Sequence, residues 1–216
     1  RPRSYTPPVA RPDDAGGVFW STYTRGLDAV LAAMRPADFD WRVVQKWQYY
    51  PSQITDAERD ELRRMGAWFR RHGRFREPEV LYRAVRVPEL APRWEAASDA
   101  EVAAYGLGLR SWAEGPSVEE CFCGAAHCLR FEWVEPPAAA IVLDGAAVRE
   151  WLEEERPDLH EALEAVGDGT VGFDSDEYVC EPRALAVEWR DEARPYGRGR
   201  RLQAGVRVTR APRRRA

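Results

Sequence analysis

Three places in the chain carry residue types that could do chemistry. The first is Asp174-Ser175-Asp176-Glu177-Tyr178-Val179-Cys180, where Glu177 stands at the mouth of a short apolar strand behind the glycine-rich approach Gly167 to Phe173. A loop that delivers a carboxylate to a rigid strand holds an acid in place and leaves its surroundings open to a ligand. The second is Arg83 in Val80-Leu81-Tyr82-Arg83-Ala84-Val85-Arg86-Val87, together with Ser111 in Leu109-Arg110-Ser111-Trp112-Ala113. The third is the cluster Cys121, Cys123, His127 and Cys128, with Cys180 as a distant fifth member. Thiolates and imidazoles suit zinc, but structural zinc sites draw paired ligands from two separated segments, and these four lie within eight residues. Ordinary buried thiols are the reading this spacing favours, and no metal is expected.

Several other patterns fall away. Gly106-Leu107-Gly108 lacks the third glycine and the following helix of a dinucleotide fingerprint, and Lys46, the sole lysine, is not part of a phosphate loop. Asp174 and Asp176 open like a calcium loop, but Val179 stands where the obligatory glycine belongs. No serine elbow is present for a hydrolase triad.

The elements that must position these residues follow from periodicity. Residues 1–17, with four prolines, read as a disordered arm. Phe19, Trp20, Tyr23, Leu27, Val30, Leu31 and Met34 recur at helical spacing, and Pro36 closes that run. Trp41 to Tyr50 has no clean period, so a strand and a packing loop fit equally well. Thr55-Asp56-Ala57-Glu58 is a capping box opening a helix to about Arg71, with Leu62, Met65, Trp68 and Phe69 on its buried face. After Pro78 the pattern alternates, and Val80 to Val87 reads as a half-buried strand with its arginines on one face. Ser98 to Glu101 and Ser117 to Glu120 are two further capping boxes. Strands are expected at Leu107 to Ala113, Leu129 to Val134, Ala139 to Leu143, from Glu177, at Leu185 to Trp189 and at Val206 to Thr209. Ala146 to Val166 is expected to be helical with a break at Pro157. Short strands with helices inserted among them indicate α+β with mixed or antiparallel sheets.

Composition sets the frame. With 216 residues, 44% hydrophobic and nine tryptophans, the chain can build one good core with an extension. Its net charge of −4 and the confinement of dense basic sequence to the tail from Arg210 argue against a nucleic-acid surface. No apolar run approaches the length of a bilayer span, and the start shows no apolar secretory segment, so a cytoplasmic protein is expected. The cysteine pattern is no disulfide framework.

Leu81-Tyr82-Arg83, then Leu109 to Ala113 followed by a helix ending in Cys121-Phe122, then Asp176-Glu177-Tyr178-Val179, resembles the arginine, serine, glutamate order of ADP-ribosyltransferases of the R-S-E type. The likeness spans about residues 79–190. Two positions depart from the family pattern. Ala113 replaces a second hydroxyl after the central serine, and Ser175 stands two residues before Glu177, where Glu or Gln is common and helps to choose the acceptor.

The resemblance implies a fold of split mixed and antiparallel sheets, with 79–209 as the transferase-like domain, 18–78 as a helical N-terminal extension and 210–216 as a basic tail. It implies NAD as substrate and Glu177 as the catalytic carboxylate that stabilises an oxocarbenium-like sugar. It gives Arg83 to the pyrophosphate or nicotinamide ribose, Ser111 to a ribose, and Trp112 or Phe122 to stacking on nicotinamide. Phe173 and Ser175 would meet the acceptor: a protein, a nucleic acid or a small molecule. By analogy the chain would be an intracellular modifier of bacterial or phage origin. Two readings of other classes stand beside it. One is a non-catalytic protein-interaction module using the aromatic-rich N-terminal half, or an inactive transferase-like fold; the other is a zinc-stabilised nucleic-acid-binding protein.

Overall fold

The computed structural model describes residues 26–49, 53–115, 127–164, 177–196 and 201–210. Residues 26–33 are helical (α1). In chain order there follow α2 (Arg42–Tyr49), α3 (Asp56–Arg71), β1 (Val80–Arg86), a 3-10 turn at Ala91–Ala96, α4 (Asp99–Ala104), β2 (Arg110–Ala113), β3 (Cys128–Val134) and β4 (Ile141–Asp144). The chain continues as α5 (Gly145–Glu155), α6 (Pro157–Glu164), β5 (Glu177–Cys180), β6 (Leu185–Arg190), β7 (Arg194–Tyr196) and β8 (Arg201–Arg210). The fold is α+β, with an eight-stranded mixed sheet in the order β4-β5-β2-β1-β3-β8-β6 and β7 paired to β8. The strand pairing forms one continuous path rather than two separately bonded sheets.

The chain divides into two compact units. The sheet unit holds the described residues of 77–141 and 178–210, and the helical unit holds those of 26–76 and 142–177.

In the sheet unit β1 runs antiparallel to β2 and β3, β3 runs parallel to β8, and β8 runs antiparallel to β6 and β7. The alternation Leu129-Arg130-Phe131-Glu132-Trp133 sorts β3 onto two faces, because successive strand side chains point opposite ways. Leu129, Phe131 and Trp133 are buried, and register aligns them with Ala204, Val206 and Val208 of β8 and with Val85, Arg83 and Leu81 of β1. Trp112 closes this face, its ring 5.1 Å from Trp133 and 6.2 Å from Phe131. Burying each such large side chain contributes on the order of 2–3 kcal/mol. Arg83 and Arg86 lie an odd number of residues apart and so point to opposite faces, which corrects the expectation that the β1 arginines share one. The strand expected from Leu107 begins only at Arg110, because Gly108 takes φ +79° to turn the chain into β2 while its N–H donates to the Pro182 carbonyl.

The helical unit is organised by tryptophans. Trp41 and Trp151 stack with centroids 5.8 Å apart and planes 11° from parallel, and Trp68 and Phe69 meet Trp151 edge-on. Leu62, Met65 and Phe69 of α3 are fully buried, as its periodicity predicts, and both halves of the Thr55–Glu58 capping box form. Gly66 lets α3 approach the chain at Val142 so closely that a Cβ would lie 1.8 Å from that carbonyl oxygen. The segment left open between strand and loop is a helix, α2. Trp41, Val44 and Gln45 are buried one turn apart, and Asp40 caps the entry by accepting the Arg42 N–H at 3.2 Å. Aromatic density hid the period of that segment. Pro157, which has no N–H to lose, opens α6.

Among the described residues of this unit, two ionisable side chains are buried. Arg156 pairs with Asp38 and with Asp158 (3.0 Å) and donates to the Ala33 carbonyl at 2.6 Å, tying the 33–38 connection to the α5–α6 junction. Asp144, fully buried, caps α5 by accepting the Ala147 N–H at 3.1 Å and also accepts the Arg76 N–H at 2.9 Å.

Candidate functional site

The three strands that carry the arginine, the serine and the glutamate are neighbours, in the order β5-β2-β1. Arg83 sits in the middle of β1, half-buried, and its Nη1 donates to the Ser111 carbonyl oxygen at 2.7 Å. That bond spans the β1–β2 ladder, whose register pairs Tyr82 with Ala113. By strand alternation Arg83 shares a face with Trp112, and the Ser111 side chain lies on the other face with Ala84. Arg83 therefore reaches Ser111 through its backbone oxygen.

Glu177 opens β5, half-buried, ahead of the buried Tyr178, Val179 and Cys180. The change from half-buried to buried follows the sequence: one carboxylate, then an aromatic, a β-branched residue and a thiol. Tyr178 Oη donates to Glu114 Oε1 at 3.1 Å, joining β5 to the end of β2. Trp112 is 1% exposed and packs as a core residue against Trp133 and Phe131. Phe122, Phe173 and Ser175 lie outside the described residues, as do Cys121 and Cys123.

The thiol cluster is corrected in part. Cys128 is disulfide-bonded, and a sulfur in a disulfide is neither an ordinary thiol nor a thiolate available to zinc. Cys180 is a free buried thiol, and among the described residues no group of three metal-ligating side chains assembles. His127 contributes its backbone carbonyl, which accepts the Val87 N–H at 2.9 Å.

Sequence reasoning missed a second feature of the sheet unit, an open hollow of about 140 Å³ on the face opposite Trp112. Tyr82, Arg130, Glu132, Trp189 and Asp191 surround it, and Ala84 and Gly205 keep its floor low. Glu132 is paired with Arg207 at 3.0 Å. The alternation of β3 shows that Arg130 and Glu132 share a face. What brings Trp189 to that face is a bulge in β6, where the register slips between Val187 and Trp189 so that Trp189 stands opposite Arg207. Nothing in the local sequence announces that slip.

No helix among the described residues is long and apolar enough to cross a membrane. No protein-family model matches the chain, and no curated protein and no solved structure matches it.

Proposed function

We propose that the chain is an NAD-dependent mono-ADP-ribosyltransferase acting at the β5-β2-β1 centre of the sheet. The observation that carries this reading is the adjacency of the three strands bearing Glu177, Ser111 and Arg83, with the Arg83 guanidinium already bridging to β2. Three short motifs separated by 28 and 66 residues gain weight when their strands are neighbours.

The chemistry is substitution at the ribose carbon bonded to nicotinamide. The carbon–nitrogen bond breaks, nicotinamide leaves with the bonding pair, and the sugar acquires oxocarbenium character. Glu177 stabilises that developing positive charge, the kind of preorganised electrostatic contribution that dominates many enzymes. A nucleophilic acceptor then bonds to the same carbon and gives up its proton. Water in that role makes the reaction NAD hydrolysis. Arg83 offers the planar donor fork that fits phosphate oxygens. The Ser111 hydroxyl, which the resemblance gives to a ribose, stands on the other face of β2 from Arg83. Trp112, at 1% exposure, is assigned to packing rather than stacking, and the nicotinamide face is left to Phe122. Ser175 and Phe173 take the acceptor side.

The interaction-module alternative draws on the aromatic-rich N-terminal half. Trp41, Trp47 and Phe69 are buried there, so they form core rather than a docking face. The deciding measurement is nicotinamide release from NAD by the native chain and by Glu177→Gln, beside calorimetric NAD binding to both. Release that falls by about a hundredfold or more in Glu177→Gln, with NAD binding retained, is the expected result. Absence of both release and NAD binding in the native chain overturns the proposal.

A further inference from the structure

The hollow on the opposite face of the sheet unit has features that the transferase reading does not use. Its outer wall is Trp189, whose indole is 49% exposed. An unslipped β6 would set Trp189 opposite Val206, on the buried face. The bulge sets it opposite Arg207 instead and holds it out over the hollow. Bulges commonly re-aim a side chain beside a functional site.

Next to it stands Asp191. Its backbone is pinned from two sides: its N–H donates to the Gly205 carbonyl at 2.9 Å, and its own carbonyl accepts the Trp94 indole N–H at 3.1 Å. Its carboxylate makes no hydrogen bond or ion pair with any of the described residues. Glu132, the other carboxylate of the hollow, is neutralised by Arg207. Gly205 leaves room beneath this pair, since a Cβ there would lie 3.1 Å from Asp191 Oδ2 and 3.6 Å from the Trp189 ring. A Cβ at 205 would crowd the Asp191 carboxylate and touch the Trp189 ring, and a larger side chain would fill the floor.

We infer that this hollow binds an organic cation, an alkylammonium or guanidinium group that lies against the Trp189 face and pairs with the Asp191 carboxylate. The negative face of an indole attracts a cation placed over it, and a fixed carboxylate at its edge supplies the counter-charge and accepts N–H bonds from a primary ammonium or a guanidinium. Tyr82 offers a second aromatic wall. Arg130 and the Glu132–Arg207 pair close the inner side, and the Asp191 carboxylate at the Trp189 edge is the acceptor that a cation would meet. The site rests on Trp189 and Asp191, which the transferase reading does not use although Arg83 also lines the hollow, so it survives failure of the transferase proposal and can fail while that proposal holds.

The test is a titration of the whole chain followed through the Trp189 indole N–H resonance, which Trp189→Leu identifies by its disappearance. Choline and methylguanidinium are the cationic probes, and 3,3-dimethyl-1-butanol is the uncharged match to choline. Saturable shifts with both cations, and affinity at least about tenfold weaker for the uncharged match, are expected. Asp191→Asn, which keeps the shape and removes the charge, is expected to weaken both cations by about tenfold or more. Gly205→Val is expected to abolish the shifts. Equal binding of the uncharged match, indifference to Asp191→Asn, or no saturation by either cation to about 20 mM overturns the inference. Unchanged resonances elsewhere in the spectrum show that each variant is folded.

Discussion

The two units handle charge in opposite ways. In the helical unit the charged groups taken out of water are bound on several sides: Arg156 by two carboxylates and a carbonyl, Asp144 by two backbone N–H groups. In the sheet unit Asp191 stands half-exposed with a carboxylate that no described residue satisfies, beside a tryptophan turned toward solvent. Buried charges that are fully partnered hold a fold together, whereas preorganised charges without partners are suited to a ligand. The contrast sets the partnered charges of the helical unit against the recognition proposed for the hollow of the sheet unit.

The largest expected effect tests the first half of that contrast. Arg156→Ala leaves Asp38, itself largely buried, with the Arg35 N–H but without its cationic partner, and the Ala33 carbonyl without the Arg156 donor. A loss of about 3–5 kcal/mol is expected in urea unfolding monitored by tryptophan fluorescence. A loss below about 1 kcal/mol would mean that the network is ornamental and the contrast mistaken.

A smaller effect of opposite sign is expected from Gln45→Met. The Gln45 side chain is fully buried, and neither atom of its carboxamide has a hydrogen-bond partner. Replacing it by an apolar side chain of similar length removes an unmet polar group, and a gain of about 1 kcal/mol should appear in the same unfolding experiment. Destabilisation instead would show that the amide is satisfied by an ordered water, which would make Gln45 a built polar site in the helical unit.

The subtlest prediction concerns pH. Burial pushes the Asp144 carboxyl above the ordinary carboxylate value, outweighing the backbone N–H groups of Ala147 and Arg76 that pull it down. The folded state therefore holds this proton more tightly than the unfolded chain. The associated stability is fully present below the unfolded value and is lost as pH rises through the raised folded value. Asp144→Asn keeps an acceptor for Ala147 and removes the titration, so its unfolding free energy should lack that part of the decline. Identical pH slopes for the two proteins would show that Asp144 titrates normally.

Much of the frame was legible locally. The capping box at Thr55 to Glu58 places α3 because a hydroxyl and a carboxylate three residues apart satisfy amides at one helix start, and no distant residue is needed. The same holds for Ser98 to Glu101 and α4, for the strand at Val80, and for the interruption at Pro157. The strands bearing Arg83, Ser111 and Glu177 are expected from the local pattern, while the choice of those three together rests on the resemblance to the arginine, serine, glutamate order. The segment from Trp41 resisted because Trp41, Trp47, Tyr49 and Tyr50 recur without a clean helical period, and Trp41 at its start is held by stacking on Trp151, about a hundred residues on.

Everything that depends on pairing across the sequence belonged to the tertiary structure. No local pattern could say that β5, β2 and β1 are neighbours, because strand order is set by which hydrophobic faces fit together over the whole core. The Cys128 disulfide likewise escaped a reading from spacing, since a disulfide forms where the backbone brings two sulfurs together. The hollow is the clearest case. The sequence determined Trp189, Asp191 and Gly205 as residues, but a one-residue slip in β6 decided which face the tryptophan occupies, and side-chain direction in a strand reverses with every residue.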